Sequence, residues 1–306
     1  HSFPTRRSSD LLPNWELLLG QLEQGSSDMV LMWLREGVRV EHFFRHFKGN
    51  FKGESYDCDS PPHRIFPNCS SGRRHAAFIA KTLEDRIKNG SIEVVGKVGE
   101  VAPPKVVMGI CVEPTKPRLC HDERYLNLWI TDNPFKLDTL SDIPPICPPG
   151  SFMSTCDEKS AYDGLVLHPD SRDYFGLQFG GYYLRYRTLP FGWKASPFVY
   201  DTVGRQVTSF LRSKGVPTLQ YIDDRYVGSI STGISLAEED KCRWAMALTC
   251  AVLTALGYTI ALCKSCLEPK QQILYLGLVV DSHAQSFSIP RSEERRVGKE
   301  CRSRWS

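Results

Sequence analysis

Between Ser151 and Cys263 the apolar pattern alternates between the two-residue period of strands and the 3.6-residue period of helices, in an order that few folds accept. SFMSTC reads as a short strand running into Asp157. Ser196 and Pro197 suit the N-cap and first position of a helix that places Val199, Val203, Val207, Phe210 and Leu211 on one face and ends at Gly215. VPTLQYIDDRYVGSI reads as a tight hairpin. Ser235 and Glu238 have capping-box spacing ahead of a helix that turns Leu248, Val252 and Leu256 inward and stops at Gly257. YTIALC is expected as the next strand and ILYLGLVV as a further one. LQFGGYYLRYRTL reads as a hairpin turning at Gly180 and Gly181. With that hairpin set aside as an insertion, the order is strand, helix, strand-turn-strand, helix, strand. This is the split βαβ, ferredoxin-like arrangement, an antiparallel sheet with helices on one face.

In that arrangement the first strand neighbours the central hairpin, so the end of SFMSTCD lies beside the turn of YIDD. Asp157, Asp223 and Asp224 then converge. Three carboxylates at one sheet edge repel one another unless cations neutralise them, and hard divalent ions do so with oxygen ligands. Two such ions activate an attacking oxygen and stabilise a leaving one in phosphoryl transfer. Tyr-x-Asp-Asp alone is a weak signal, because Asp-Asp also suits an ordinary turn.

Further blocks add to it. CDEKSAY contains Asp157 and Tyr162, LPFGWKASP occupies 189–197, and YIDD occupies 221–224. Upstream lies RLCHDERYLN, with Arg118, Asp122, Arg124, Leu126 and Asn127; downstream lie Lys264 in CKS and LYLG at 274–277. In order and spacing these blocks resemble those of reverse transcriptases, and the chain is similar to the polymerase region of a retrotransposon from about Arg73 to Pro290. LPFGW, YFGL and the KSCLEP to VVDS stretch look most like DIRS-like, tyrosine-recombinase elements. The resemblance implies an α+β right-hand polymerase fragment with fingers and a ferredoxin-like palm. The implied reaction is RNA- or DNA-templated addition of dNTPs to a primer 3′-hydroxyl, with two Mg²⁺ or Mn²⁺ ions.

The same resemblance implies roles. Asp157 and Asp223 would be the principal metal ligands, with Asp224 supporting them. Tyr162 would sit under the sugar and exclude a ribose 2′-hydroxyl; a core aromatic after a strand is the alternative. Arg118 would grip the triphosphate. Lys264 would serve the departing pyrophosphate as charge partner or proton donor. Phe191, Gly192 and Trp193 would wall the nascent base pair, or else form a buried aromatic turn. Leu276 and Gly277 would position the primer terminus. The family's second triphosphate lysine falls on Cys111, leaving that role to Lys105, Lys116 or neither. Arg225 could pair with template phosphate or with a neighbouring acid.

The remaining sequence sets the frame. Its 306 residues, 41% hydrophobic and 24% charged, exclude disorder, collagen and coiled coil as descriptions of the whole. No apolar run reaches membrane-spanning length and no secretory leader is evident, so an intracellular protein with no membrane partner is expected. Its 11 cysteines are accordingly expected as thiols. Residues 27–47 look helical but are interrupted at Gly37, and 51–72 read as a loop. Phe78, Ile79, Leu83 and Ile87 share a helical face that ends near Gly90. Cys263 and Cys266, like Cys58, His63 and Cys69, lack the partners of a zinc site. His121 and His168 have no nucleophile at readable spacing.

One DNA segment that looks like a sequencing adapter encodes residues 1–11, and its reverse complement opens 291–301. Both 1–11 and 291–306 are therefore expected to be translated adapter rather than basic nucleic-acid-binding arms. The two ends hold eight Lys/Arg and four Asp/Glu; without them the formal net charge falls from +3 to −1, so bulk charge does not announce a nucleic acid. The expected division is an N-terminal extension at 12–72, fingers at 73–131 and 165–195, and palm at 132–164 and 196–290. No thumb is recognisable, and the chain is expected to be a fragment. A non-catalytic remnant and another two-metal nucleotidyl transferase, such as a cyclase, are the rival readings. Oligomeric state is not encoded legibly.

Overall fold

The computed structural model describes residues 8–22, 27–113, 118–159, 161–231, 235–290 and 302–304. It divides into one unit of residues 1–10, 28–134 and 162–200 and another of 11–27, 135–161 and 201–306. In this division residues 11–27 fall in the second unit and residues 28–72 in the first.

In the second unit, β1 (Met153–Asp157) is buried over its first four residues, as a strand with neighbours on both sides must be. The other elements of the sheet and its crossovers are α1 (Ser196–Ser213), β2 (Thr218–Tyr221), β3 (Asp224–Gly228), α2 (Glu238–Ala255) and β4 (Cys266–Lys270). The sheet order is β2-β3-β1-β4, all antiparallel, which is the split βαβ order. Pro269, which cannot donate to a ladder, sits in edge strand β4 where the register shifts.

Directly paired residues share a face. Cys156 pairs with Arg225 and Ser154 with Val227. That face receives both helices: Arg225 donates to Thr208 Oγ1 and the Gly204 carbonyl of α1, and Cys242 of α2 lies 3.4 Å from Ser154 Oγ. The opposite face carries Met153, Leu219 and Tyr226 into a core with Ile143, Cys147, Ile273, Tyr275 and Val280. The last three come from β5 (Gln272–Tyr275) and β6 (Leu278–Asp281), which continue into β7 (Ser286–Ser288) and a paired segment, Arg302–Arg304.

The N-terminal helix Ser8–Leu19 closes the far end of α2. Asn14 donates to the Ala255 carbonyl at 2.7 Å and Trp15 to the Leu256 carbonyl at 3.2 Å, satisfying acceptors that a helix end leaves open. Residues 1–7, 291–301, 305 and 306, most of the expected tails, lie outside the described residues, as does Lys116.

In the first unit the Gly176–Phe179 and Tyr182–Tyr186 hairpin, turning at Gly180 and Gly181, joins a five-stranded sheet with Ile92–Lys97, Val106–Met108 and Arg64–Ile65. A separate hairpin pairs Ile110–Glu113 with Arg118–His121.

Several local expectations need correction. Ser196 is the first residue of α1, and its hydroxyl donates to the Pro190 carbonyl instead of capping. Ser235 does not cap α2, whose N-cap is Ala237; an acidic first turn, Glu238, Glu239 and Asp240, complements the helix dipole instead. The buried face of α2 is Cys242, Ala245, Met246, Thr249 and Leu253, while Leu248 and Val252 are half-buried. Ile87 is exposed at the end of helix Ala76–Lys88. YTIALC contributes one bridge, Ile260 to Glu158, and then turns; the fourth strand is β4. ILYLGLVV is a hairpin, not one strand, because Leu276 (φ 47°) and Gly277 (φ 81°) form a turn between β5 and β6. The loop expected over 51–72 contains half of another hairpin, Phe47–Phe51 with Glu54–Cys58, turning at Lys52 and Gly53 and packed through Phe47, Phe51 and Tyr56 on Tyr125 and Trp129. Among the described residues no helix is long and apolar enough to cross a membrane, and the ten cysteines are free thiols.

Candidate active site

β3 and β1 are paired so that Asp224 stands directly opposite Asp157, on the sheet face away from the helices. Asp223 precedes it in the two-residue turn closed by the Tyr221–Asp224 pair. Ile222, first in that turn, has φ 53°, an uncommon conformation for a β-branched residue. The turn is tied to β1 by the Glu158 amide, which donates to the Asp223 carbonyl at 2.8 Å. Around Asp157 wraps the stretch 259–265: its carbonyl accepts from the Ala261 amide at 2.8 Å, and its amide donates to Ser265 Oγ at 3.0 Å. This stretch brings Lys264 Nζ to 3.5 Å from Asp157 Oδ2, although the lysine side chain is 66% exposed.

The electrostatics follow from this crowding. Burial pushes Asp224 up to about 6, with Asp223 and Asp157 adding to the shift and Lys264 opposing it. Asp223 is also raised, mainly by burial, with Asp157 adding and Lys264 again opposing. Asp157 Oδ1 is buried and has no hydrogen-bond partner.

In the first unit, Phe191 is 54% exposed and stacks at 4.7 Å on Tyr162, which also meets Tyr200 edge-on and is only 8% exposed. Gly192 has φ 99°, and a Cβ there would lie 2.8 Å from the His121 carbonyl, so the turn needs glycine to approach the strand that begins at Arg118. Arg118 itself is exposed. Trp193 departs from its expected role: it is 1% exposed and packed edge-on between Phe43 and Phe175, leaving no face for a base pair. Its other reading, a buried aromatic turn, describes it. Leu276 and Gly277 form the β5–β6 turn in the second unit.

Residues 147–280 match a family model described as reverse transcriptase (RNA-dependent DNA polymerase). Over this stretch the chain is similar to reverse transcriptase domains. The Gag-Pol polyprotein of Koala retrovirus is 29% identical over 177 residues, 53% of this chain. Two foamy viral protease-reverse transcriptase structures, one a dRH form solved with double-stranded DNA and one solved with an RNA/DNA hybrid, share the fold at TM-score 0.60. Their identities are 16% and 15%, each aligned over 94% of this chain. The chain spans 10% of the polyprotein's length and 48% and 37% of the two solved chains.

Asp157, Asp223 and Asp224, with Lys264, lie in the second unit, whereas Arg118, Tyr162, Phe191, Gly192 and Trp193 lie in the first. Among the described residues no three His, Cys, Asp or Glu groups stand close enough to hold an ion as they are placed. The donor chemistry nevertheless fits a hard cation: three carboxylates, one with an orphaned buried oxygen and two whose ionisation is disfavoured first by burial and then by neighbouring carboxylate charge.

Two contributors were not singled out from sequence. Asn127 fastens the turn after Phe191, donating to the Gly192 carbonyl at 2.8 Å and accepting from the Lys194 amide at 2.9 Å. Its place in the RLCHDERYLN block was the available signal. Ser265, the last residue of CKS, accepts from the Asp157 amide, and its place beside Lys264 was the available signal. Arg225 resolves to its second alternative, pairing with a neighbouring acid, Glu158. His121 is buried against Glu123 and the Gly176 carbonyl, and His168 meets Arg39 and caps the turn at Pro169–Phe175.

Proposed function

We propose that the chain catalyses template-directed addition of deoxynucleotides to a primer 3′-hydroxyl on an RNA or DNA template, as part of a retrotransposon polyprotein of the DIRS-like kind. The observation that carries this reading is the register that sets Asp157 opposite Asp224, with Asp223 in the adjoining turn. In this reading the second unit is the palm and the first the fingers, and the foamy viral structures solved with nucleic acid make a template-primer the natural partner.

Asp157, Asp223 and Asp224 would hold two Mg²⁺ or Mn²⁺ ions. The chemistry such ions supply when bound is activation of the attacking 3′-oxygen and stabilisation of the leaving one. The protein's own groups do the rest. Lys264, largely exposed and with its Nζ beside Asp157, meets the charge of the departing pyrophosphate or gives it a proton. Arg118 offers a permanent charge to the triphosphate. Tyr162 is held between Phe191 and Tyr200, so its ring cannot swing away, and a ribose 2′-hydroxyl placed against it would clash. Phe191 offers an exposed face to a base, Gly192 lets the backbone come close, and the Leu276–Gly277 turn positions the primer end.

The absence, among the described residues, of a ready-made cation cluster favours a second reading, a non-catalytic remnant that at most binds nucleic acid or protein. Primer extension on an RNA template with Mg²⁺ or Mn²⁺ separates the two. The chain is expected to extend the primer and Asp223→Asn to lower the rate by about a hundredfold or more. Activity in both proteins rejects the ligand assignment, and activity in neither supports the remnant.

A further inference from the structure

Each of the two paired aspartates is followed by a residue of opposite charge to the other's: Glu158 after Asp157, Arg225 after Asp224. Side chains alternate along a strand, so these two point to the helix-covered face while the aspartates point away from it. There Arg225 Nε donates to Glu158 Oε1, and the pair is shut off from water, with side chains 0% and 1% exposed. The guanidinium also donates to Thr208 Oγ1 at 2.9 Å and to the Gly204 carbonyl at 3.5 Å, binding α1 to the same point.

A buried ion pair contributes little net stability compared with apolar residues of similar size, but separating its members leaves an uncompensated charge in a dry interior. A one-residue slip of β3 along β1 would both turn the aspartates to the wrong face and separate this pair. Apolar residues at the two positions would resist that slip far less. We propose that the buried Glu158–Arg225 ion pair is a positioning device, which fixes the register of β1 against β3 and thereby the placement of Asp157 beside Asp224. Its consequence for catalysis rests on the polymerase reading above; its consequence for register does not.

The test uses the full chain with Glu158→Leu, Arg225→Leu, the double variant and Arg225→Lys. Three quantities are read: the urea midpoint, amide hydrogen exchange over 153–158 and 221–228, and kcat and KM for dNTP in primer extension. Each single Leu variant should lose stability, and the double variant should recover the midpoint because the matched apolar pair strands no charge. Despite that recovery, exchange in the two segments should be about tenfold faster than in the parent, and kcat about tenfold lower with KM within about threefold. Arg225→Lys, which keeps the charge but not the fork that reaches both Glu158 and Thr208, should exchange about threefold faster and decides the matter if the double variant does not fold. Parental exchange in the folded double variant or in Arg225→Lys overturns the proposal, as does parental kcat in the double variant. If the parent extends no primer, the polymerase reading fails while exchange still decides the positioning role.

Discussion

Asp224 is the residue whose surroundings make the sharpest statement about conditions. Its carboxyl is raised to about 6, above its ordinary value of 3.8, by burial and by the like charges of Asp223, Asp157 and Glu158. In the absence of divalent cations the folded state therefore favours the protonated form. The stabilisation this gives is complete below about pH 4 and is lost as pH rises through about 6. Asp224→Asn removes the charge at every pH. With a chelator present, the variant should match the parent near pH 4 and exceed it by on the order of 1 kcal/mol at pH 7.5, compared by urea unfolding. An advantage that does not grow across that interval would show that the carboxyl is ordinary. At this scale the meeting of the aspartates was legible because the strand order places the end of β1 beside the Asp223–Asp224 turn. Trp193 was left with two readings because a tryptophan inside a turn motif looks the same whether it faces a base or, as here, Phe43 and Phe175.

Elements were legible where a periodic pattern ended in a residue with one conformational use. β1, the β2–β3 hairpin and α1 were recognisable from alternation, from Asp-Asp at a turn and from Gly215 at φ 80°. The β5–β6 hairpin was missed because LYLGLVV is apolar throughout, and a continuous apolar run conceals a two-residue turn. The turn's chemistry supports a simple check. Gly277 has open space around its Cα, so Gly277→Val should destabilise through backbone conformation alone, by about 1–2 kcal/mol. Leu276→Asn, placing a residue tolerant of positive φ at 47°, should be neutral or stabilising by a few tenths of a kcal/mol. Thermal unfolding of both variants measures this, and equal losses would mean that the Leu276 side chain, packed at the edge of the core, outweighs the turn. The start of α2 was misplaced for a similar reason: Ser235 and Glu238 had the letters of a capping box, but acidic residues at the first turn set the N-cap two positions later, at Ala237.

At the scale of the molecule, the docking of the N-terminal segment was not legible in the sequence. Asn14 and Trp15 meet residues 241 positions away, and local periodicity carries no information about such a contact. Net charge is likewise a property of the whole. With only +3 over 306 residues, the affinity for template-primer that the proposed function requires must come from local basic groups, each exchanging a counterion for a phosphate. The dissociation constant for a DNA primer on an RNA template should rise by at least about tenfold between 50 and 200 mM salt, measured by filter binding. A flat profile would point to binding dominated by stacking. The interleaving of the two units also has a meaning in time. On a ribosome adding about 5–20 residues per second, β1 emerges and then waits roughly 4–14 seconds for β3, and longer for β4, the neighbours that cover its two edges. Throughout that interval a buried-type strand is exposed with both sides open, which makes the nascent chain a client for chaperones that shield unpaired edges.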